Sequence, residues 1–146
     1  MLKGIPALLT TEALTMLSAM GHGDVLAVVD RNYPAAANHA RVATLAGADA
    51  PTAIAAIAEL LPVDTFVDPS VWGMVPDDDA DARIETHGEV ARILTDAEGR
   101  DVTVTPLART AFYAAARQAY GAILTSESRP FSCFLITKGV VFPPAD

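Results

Sequence analysis

The chain has 146 residues, 51% of them hydrophobic and 19% charged, which is enough for one domain with a substantial core. Ten Lys and Arg stand against 18 Asp and Glu, and the formal charge of −8 opposes approach to nucleic acid or to an anionic membrane surface. No stretch approaches the ~18 consecutive apolar residues of a membrane span, and the segment Met1-Leu2-Lys3-Gly4-Ile5-Pro6 lacks the apolar run and cleavage site of a secretion signal, so a cytoplasmic protein is expected.

The single cysteine, Cys133, excludes an internal disulfide and a multi-cysteine metal site. His22, His39 and His87 have no metal-ligand spacing, so a structural metal is not expected. His39 and His87 read as surface residues.

In chain order, Thr10 or Thr11 can cap a helix through about Met20, with Glu12 near its positive end and Gly21 as a left-handed stop. Residues 24–30 predict a strand. The unbroken apolar run Val25 to Val29 implies burial on both faces, as in a sheet covered by helices. A turn at Asn32-Tyr33-Pro34 and a small-residue loop lead to a short strand near Arg41 to Leu45.

Pro51 suits the first turn of a helix running to about Leu61. Val63 to Asp68 alternates as a strand does, and Pro69 to Met74 follows as a loop or short strand. The acidic run Asp77-Asp78-Asp79-Ala80-Asp81 lacks the glycine and distal glutamate of a calcium loop and reads as a solvated helix start. That helix is predicted over about Asp79 to Leu94, with a turn at Asp96-Ala97-Glu98-Gly99.

A strand at Val102 to Val104 is expected next, and Thr105-Pro106 has the cap and first-turn proline of another helix. In it Arg109, Tyr113 and Arg117 recur at four-residue spacing and share a face. Strands at about Gly121 to Thr125 and Phe131 to Thr137 flank a turn at Ser126 to Pro130. The alternation predicts one α/β domain over 1–146, its central, mostly parallel sheet covered by helices.

One constellation carries chemistry. Met20-Gly21-His22-Gly23-Asp24 sets an imidazole between two glycines at a helix-to-strand turn, with Asp30 at the far end of the strand. The flanking residues supply no side chains to bury the ring, and an unperturbed imidazole pKa near 6.5 keeps both protonation states available, which suits proton transfer. Asp30 also suits a cap for the turn after the strand.

In order along the chain, Leu2-Lys3, Met20-Gly21-His22-Gly23-Asp24, Asp30 with Tyr33-Pro34, Leu60 to Phe66, Arg109-Thr110-Ala111-Phe112-Tyr113 and Leu135-Ile136-Thr137-Lys138-Gly139-Val140 resemble the ribose pyranase and fucose mutarotase family of the RbsD/FucU type. The form of the first motif and of the Arg-x-Ala-Phe-Tyr segment is closer to the fucose branch. The resemblance implies an RbsD-like fold and an isomerase that opens and recloses the hemiacetal ring of a neutral monosaccharide, interconverting anomers or pyranose and furanose forms without a cofactor. It also implies a pentamer or decamer whose pocket is completed by a neighbouring subunit.

By matching positions, the resemblance makes His22 the principal proton-transfer residue, with Asp64 and Tyr113 as catalytic partners. Asp30 and Arg109 become substrate contacts, and Met74 falls near the pocket wall. Asp64 equally reads as a strand-edge or turn carboxylate, and Arg109 and Tyr113 as surface partners of acidic neighbours. Trp72 reads as a packing or interface residue. At the substrate-contacting positions where typical members carry Tyr-Gly-Asn, this chain has Phe131-Ser132-Cys133. It loses a phenol and a carboxamide there, each worth around 1 to 3 kcal/mol to a bound hydroxyl. Cys133 itself reads as a small hydrophobe. The rewritten segment keeps a second reading open, a non-catalytic monosaccharide-binding or regulatory protein of the same fold.

Overall fold

A computed structural model describes residues 2–145. Six strands form one mixed sheet: β1 (Val25–Val29), β2 (Val42–Leu45), β3 (Val71–Val75), β4 (Thr105–Ala108), β5 (Gly121–Thr125) and β6 (Phe134–Thr137), in the order β2-β5-β1-β6-β3-β4. The pairs β1/β5, β2/β5 and β3/β4 are parallel, and β6 runs antiparallel to both β1 and β3. Five strands therefore point one way, and the carboxyl ends of β1 to β5 share one edge with the start of β6.

The apolar run of β1 is buried on both faces, as its composition demands. Leu26 and Val28 pack under α1 (Thr11–Ala19), α3 (Ala50–Ala58) and α4 (Glu85–Glu98), together with Met16, Ile54, Ile57, Val90 and Leu94. Ala27 and Val29 face the opposite side, where α2 (Ala35–Asn38) contributes Ala35 and α5 (Arg109–Ala116) contributes Phe112 and Ala116. Each fully buried Val, Leu or Ile side chain contributes about 1.5–3 kcal/mol, so the double-sided core is what holds the strand ends in place. Trp72 is half-buried against the second cluster, in keeping with a packing role.

Several boundaries differ from the expectations. Thr10 does cap α1, its Oγ1 accepting from Ala13 N–H at 3.2 Å, but the chain leaves the helix in extended form at Met20, and the left-handed residue is Gly23, φ 85°. α3 ends at Ala58 rather than Leu61. The alternating segment Val63 to Asp68 is not a strand: after one bridge from Val63 to Lys138 it turns away, and the strand is β3, from Val71.

The acidic run lies in turns before α4, which starts at Glu85 and continues through Glu98 to Gly99, whose φ of 66° ends it. Val102 to Val104 stays outside the sheet, and Thr105-Pro106 opens β4 instead of a helix. Proline is tolerated because β4 is an edge strand. The last strand begins at Phe134, three residues later than expected. None of these shifts alters the α/β architecture.

Candidate active site

The loop Met20 to Asp24 is built to present one ring. Gly21 N–H donates to Asp24 Oδ2 at 2.8 Å, Gly23 N–H to Lys138 O at 2.9 Å, and Lys138 N–H to Asp24 O at 2.8 Å. The loop is thus tied to the chain leaving β6, while the His22 side chain stays 45% exposed. His22 Nε2 lies 2.8 Å from Asp64 Oδ1, and its ring centroid is 4.9 Å from that of Phe66.

Asp64 is the buried member of the couple, its side chain 1% exposed. Its Oδ2 accepts from Phe66 N–H at 3.2 Å and Val67 N–H at 3.0 Å, so the carboxylate organises its own turn. Burial by itself would raise its pKa. The hydrogen bond from His22, the N–H groups of Val67 and Phe66 and the imidazole's charge outweigh that, and hold it below the ordinary carboxylate value. A carboxylate can only accept, so Nε2 carries the ring proton in the neutral form and Nδ1 is left as the basic atom.

At the other end of β1, Asp30 Oδ1 accepts from Asn32 N–H at 2.9 Å and Tyr33 N–H at 3.0 Å. The turn-cap reading of Asp30 is therefore correct, and its carboxylate also faces the Cys133 thiol. Asp30, Asn32, Tyr33, Met74, Arg109, Tyr113, Pro130, Phe131 and Cys133 line a cavity of about 180 Å³. Apolar cavities of about 150 Å³ take one six-membered ring, so this one accommodates a single small cyclic molecule. It lies beyond the carboxyl ends of β1, β3 and β4, where open α/β sheets bind ligands.

The guanidinium carbons of Arg109 and Arg117 stand 5.0 and 6.0 Å from the Tyr113 ring centroid, confirming the shared helix face. Tyr113 packs in turn on Tyr33, centroids 5.1 Å apart. Phe131 holds φ of 60°, an unfavourable backbone for a residue with a Cβ, and a type of strain that concentrates at ligand sites. Cys133 is buried and its Sγ accepts from Asp30 N–H at 3.4 Å. Burial first, then the neighbouring Asp30 charge, raises its pKa well above the ordinary thiol value. It is a neutral thiol, not a nucleophile.

The expected residues thus divide. His22 and Asp64 are together at the amino-terminal end of β1, whereas Asp30, Met74, Arg109, Tyr113, Phe131 and Cys133 surround the cavity at its carboxyl end. The five residues of β1 alone span about 17 Å, so His22 and Asp30 of one chain lie at opposite ends of the strand. The Ser132 hydroxyl does not line the cavity: it is fully buried 2.8 Å from Thr86 Oγ1, behind it.

Nor are the other two histidines surface groups. His39 is buried with Nε2 2.9 Å from Tyr33 Oη, and burial lowers its pKa. His87 is half-buried over Gly73, where an added Cβ would lie 2.6 Å from its Nε2, and burial lowers its pKa as well. Burial, followed by the nearby Cys133 and Tyr113, pushes the Tyr33 phenol up to about 12.

Sequence reasoning missed the frame around the cavity. Glu127 is buried; its carboxylate accepts from Ala50 N–H at 3.2 Å, Arg129 N–H at 2.8 Å, and Arg129 Nε and Nη2 at 3.0 Å each. Burial would raise its pKa, but these donors bring it to about 2. Arg129 also reaches Glu89 on α4 at 2.9 and 3.3 Å, which ties the loop carrying Phe131 to two helices. The Glu-x-Arg spacing in what reads as a turn was the available signal.

An α/β protein with an imidazole–carboxylate couple at one end of its sheet and a small cavity at the other is the class defined here. The family model described as the RbsD / FucU transport protein family matches residues 3–141, and the chain belongs to that family. It is 35% identical to the fucose mutarotase of Danio rerio, over 97% of this chain and 95% of that one, and 34% identical to the L-fucose mutarotase of Haemophilus influenzae, over 96% and 97%. The crystal structure of fucose mutarotase from Streptococcus pneumoniae in complex with L-fucose superposes with a TM-score of 0.88 at 31% identity, covering 97% of this chain and all of that one. The Bacillus subtilis RbsD complexed with D-ribose shares the fold, with a TM-score of 0.75 at 17% identity.

Proposed function

We propose that this protein is a cofactor-independent monosaccharide mutarotase, acting on L-fucose or a related neutral aldose. The observation that carries the reading is the His22–Asp64 couple: a half-exposed imidazole whose Nε2 lies 2.8 Å from a buried carboxylate, an arrangement that favours the ring proton on Nε2 and leaves Nδ1 as base. In ring opening, Nδ1 removes the proton of the anomeric hydroxyl, the C1–O5 bond breaks, and an acid protonates O5. Rotation about C1–C2 then presents the other face of the aldehyde, and the proton transfers reverse on closure. Asp64 fixes the tautomer and stabilises the imidazolium in between. Tyr113, in the cavity wall, is the group of suitable chemistry for O5.

The substrate sits in the 180 Å³ cavity, with the Asp30 carboxylate and Arg109 toward sugar hydroxyls and Met74 and Phe131 against its apolar face. Because one chain holds the two halves at opposite ends of β1, the working site combines His22–Asp64 of one subunit with the cavity of the next. Around His22 the exposed side chains of Phe66 and Val67 form the apolar rim such a contact would cover. The family resemblance suggests a pentamer or decamer in the cytoplasm.

Magnetization-exchange NMR of the anomeric protons tests this. Wild type is expected to accelerate exchange of L-fucose and His22→Ala is not; no acceleration for any neutral aldose by wild type would refute it. The second reading, binding without catalysis, is favoured by one observation: Phe131 and Cys133 bring neither phenol nor carboxamide to the cavity. It predicts calorimetric sugar binding with exchange at the buffer rate.

A further inference from the structure

Asp64 is held from behind by a part of the chain that none of the sequence motifs includes. Gly99, in the left-handed conformation, ends α4 and turns the chain so that Arg100 Nη2 donates to Val63 O at 3.1 Å and Asp64 O at 3.2 Å. Glu98, the last residue of α4, accepts from Val63 N–H through Oε1 at 2.8 Å, and its other oxygen lies 3.8 Å from Arg100 Nη2. On the opposite side Asp64 N–H donates to Thr137 O at 2.9 Å and Gly139 N–H to Pro62 O at 2.8 Å. A Cβ on Gly139 would meet Val63 O at 2.8 Å, so the two segments are in the closest contact a backbone allows.

The Val63-Asp64 unit is therefore gripped between the strand end that carries the His22 loop and the tail of α4. We propose that Arg100, supported by Glu98, is a positioning residue that sets the Asp64 carboxylate against His22 Nε2. The other end of the same helix supports the cavity. Thr86 in its first turn meets Ser132, and Glu89 holds Arg129. One rigid element of 14 residues, about 21 Å long, thus braces both halves of the candidate site.

A 1 Å misplacement remote from the reacting atoms can cost up to about a hundredfold in rate, so a loosened carboxylate has a measurable consequence. Both Arg100 contacts come from one nitrogen, which an ammonium on a shorter stem can partly reproduce. Arg100→Lys should therefore rescue what Arg100→Gln loses.

The inference uses the proposed activity only for the rate readout, and the deciding measurement is independent of it. The Asp64 side-chain carboxyl is followed by ¹³C NMR titration in full-length wild type, Arg100→Gln, Arg100→Lys and Glu98→Gln, with folding checked by amide spectra. In Arg100→Gln the midpoint is expected to rise toward the ordinary carboxylate value, with anomer exchange falling roughly tenfold, and Arg100→Lys is expected to return both toward wild type. If Arg100→Gln does not fold, Glu98→Gln carries the same expectation with a smaller shift. An unmoved Asp64 titration in the folded variants, whatever the rate or the melting temperature does, would overturn the proposal. Should wild type itself fail to accelerate exchange, the titration still decides the positioning role.

Discussion

At the amino-terminal end of β1 the candidate site is a pair of side chains, His22 and Asp64, hung on backbone hydrogen bonds and half open to solvent. At the carboxyl end it is a walled cavity framed by the buried Glu127–Arg129 network and a strained Phe131. The first end has proton-transfer chemistry beside a cleft of about 400 Å³ that Asp64, Val67 and Arg100 line; the second has the smaller cavity, with His39, bonded to Tyr33, and His87, set against the backbone of Met74 and Phe131, behind its wall. On the proposed reading, proton transfer stays with the solvent-accessible His22, while sugar binding falls to the cavity beyond the carboxyl ends of β1, β3 and β4.

The sharpest way to break this comparison is at the amino end. His22→Ala is expected to lower the anomer exchange rate by about 10² to 10⁴-fold while sugar binding measured by calorimetry falls far less, since the cavity walls are built by other residues. Loss of both would mean that the ring also builds the pocket. At the carboxyl end the largest effect is on stability: Glu127→Gln leaves Arg129 and Ala50 N–H poorly matched in a buried setting and should cost about 3 kcal/mol. Thermal unfolding would register this as a drop of roughly 6–12 °C. An unchanged melting temperature would remove the frame from the account.

The two ends also differ in how legible they were. The accessible imidazole of the Gly-His-Gly turn and the apolar β1 are local patterns and were read correctly, whereas the left-handed residue expected at Gly21 is Gly23. Asp64 was harder: its segment alternates apolar and polar residues like a strand, yet the carboxylate bonds to Phe66 and Val67 N–H and bends the chain. The competing turn chemistry of Asp prevailed over the period-2 pattern.

Thr105-Pro106 misled for the opposite reason. A helix-start signature was overridden by tertiary placement at the sheet edge, where the missing proline N–H costs nothing. Ser132 belonged to a candidate segment, but alternation along the chain points it into the core toward Thr86. The separation of His22 from Asp30 was legible, since β1 lies between them; that Asp64 joins His22 while Met74, Arg109 and Phe131 join Asp30 was not, because it depends on strand order and direction, which are long-range properties.

Smaller effects sharpen the comparison further. Phe131→Tyr with Cys133→Asn returns a hydroxyl and an amide to the cavity wall, and sugar affinity by calorimetry is expected to rise by about 1 kcal/mol, roughly fivefold. Weaker binding would show that this chain's apolar wall matches its own sugar better. Acid should weaken both ends in sequence. His39 and His87 have lowered pKa values, so the unfolded chain takes up their protons first and stability begins to fall as pH drops below 6.5. Asp64 and Glu127 are depressed carboxylates, whose stabilisation is complete above their unfolded values and is lost as pH falls from about 4.5 toward about 2 for Glu127. Melting temperature against pH should therefore decline in two stages, and a flat profile between pH 6.5 and 3 would contradict these assignments.

Mixing two inactive variants tests the central claim, a site shared between neighbouring subunits. His22→Ala retains an intact cavity, and Asp30→Asn retains an intact His22–Asp64 couple. When the two are co-expressed or refolded together in equal amounts, about a quarter of the interfaces of a cyclic oligomer pair an intact couple with an intact cavity. Anomer exchange should return to about a quarter of the wild-type rate, although each variant alone stays near the buffer rate. If the mixed oligomers form and exchange remains at the buffer rate, the site is not shared.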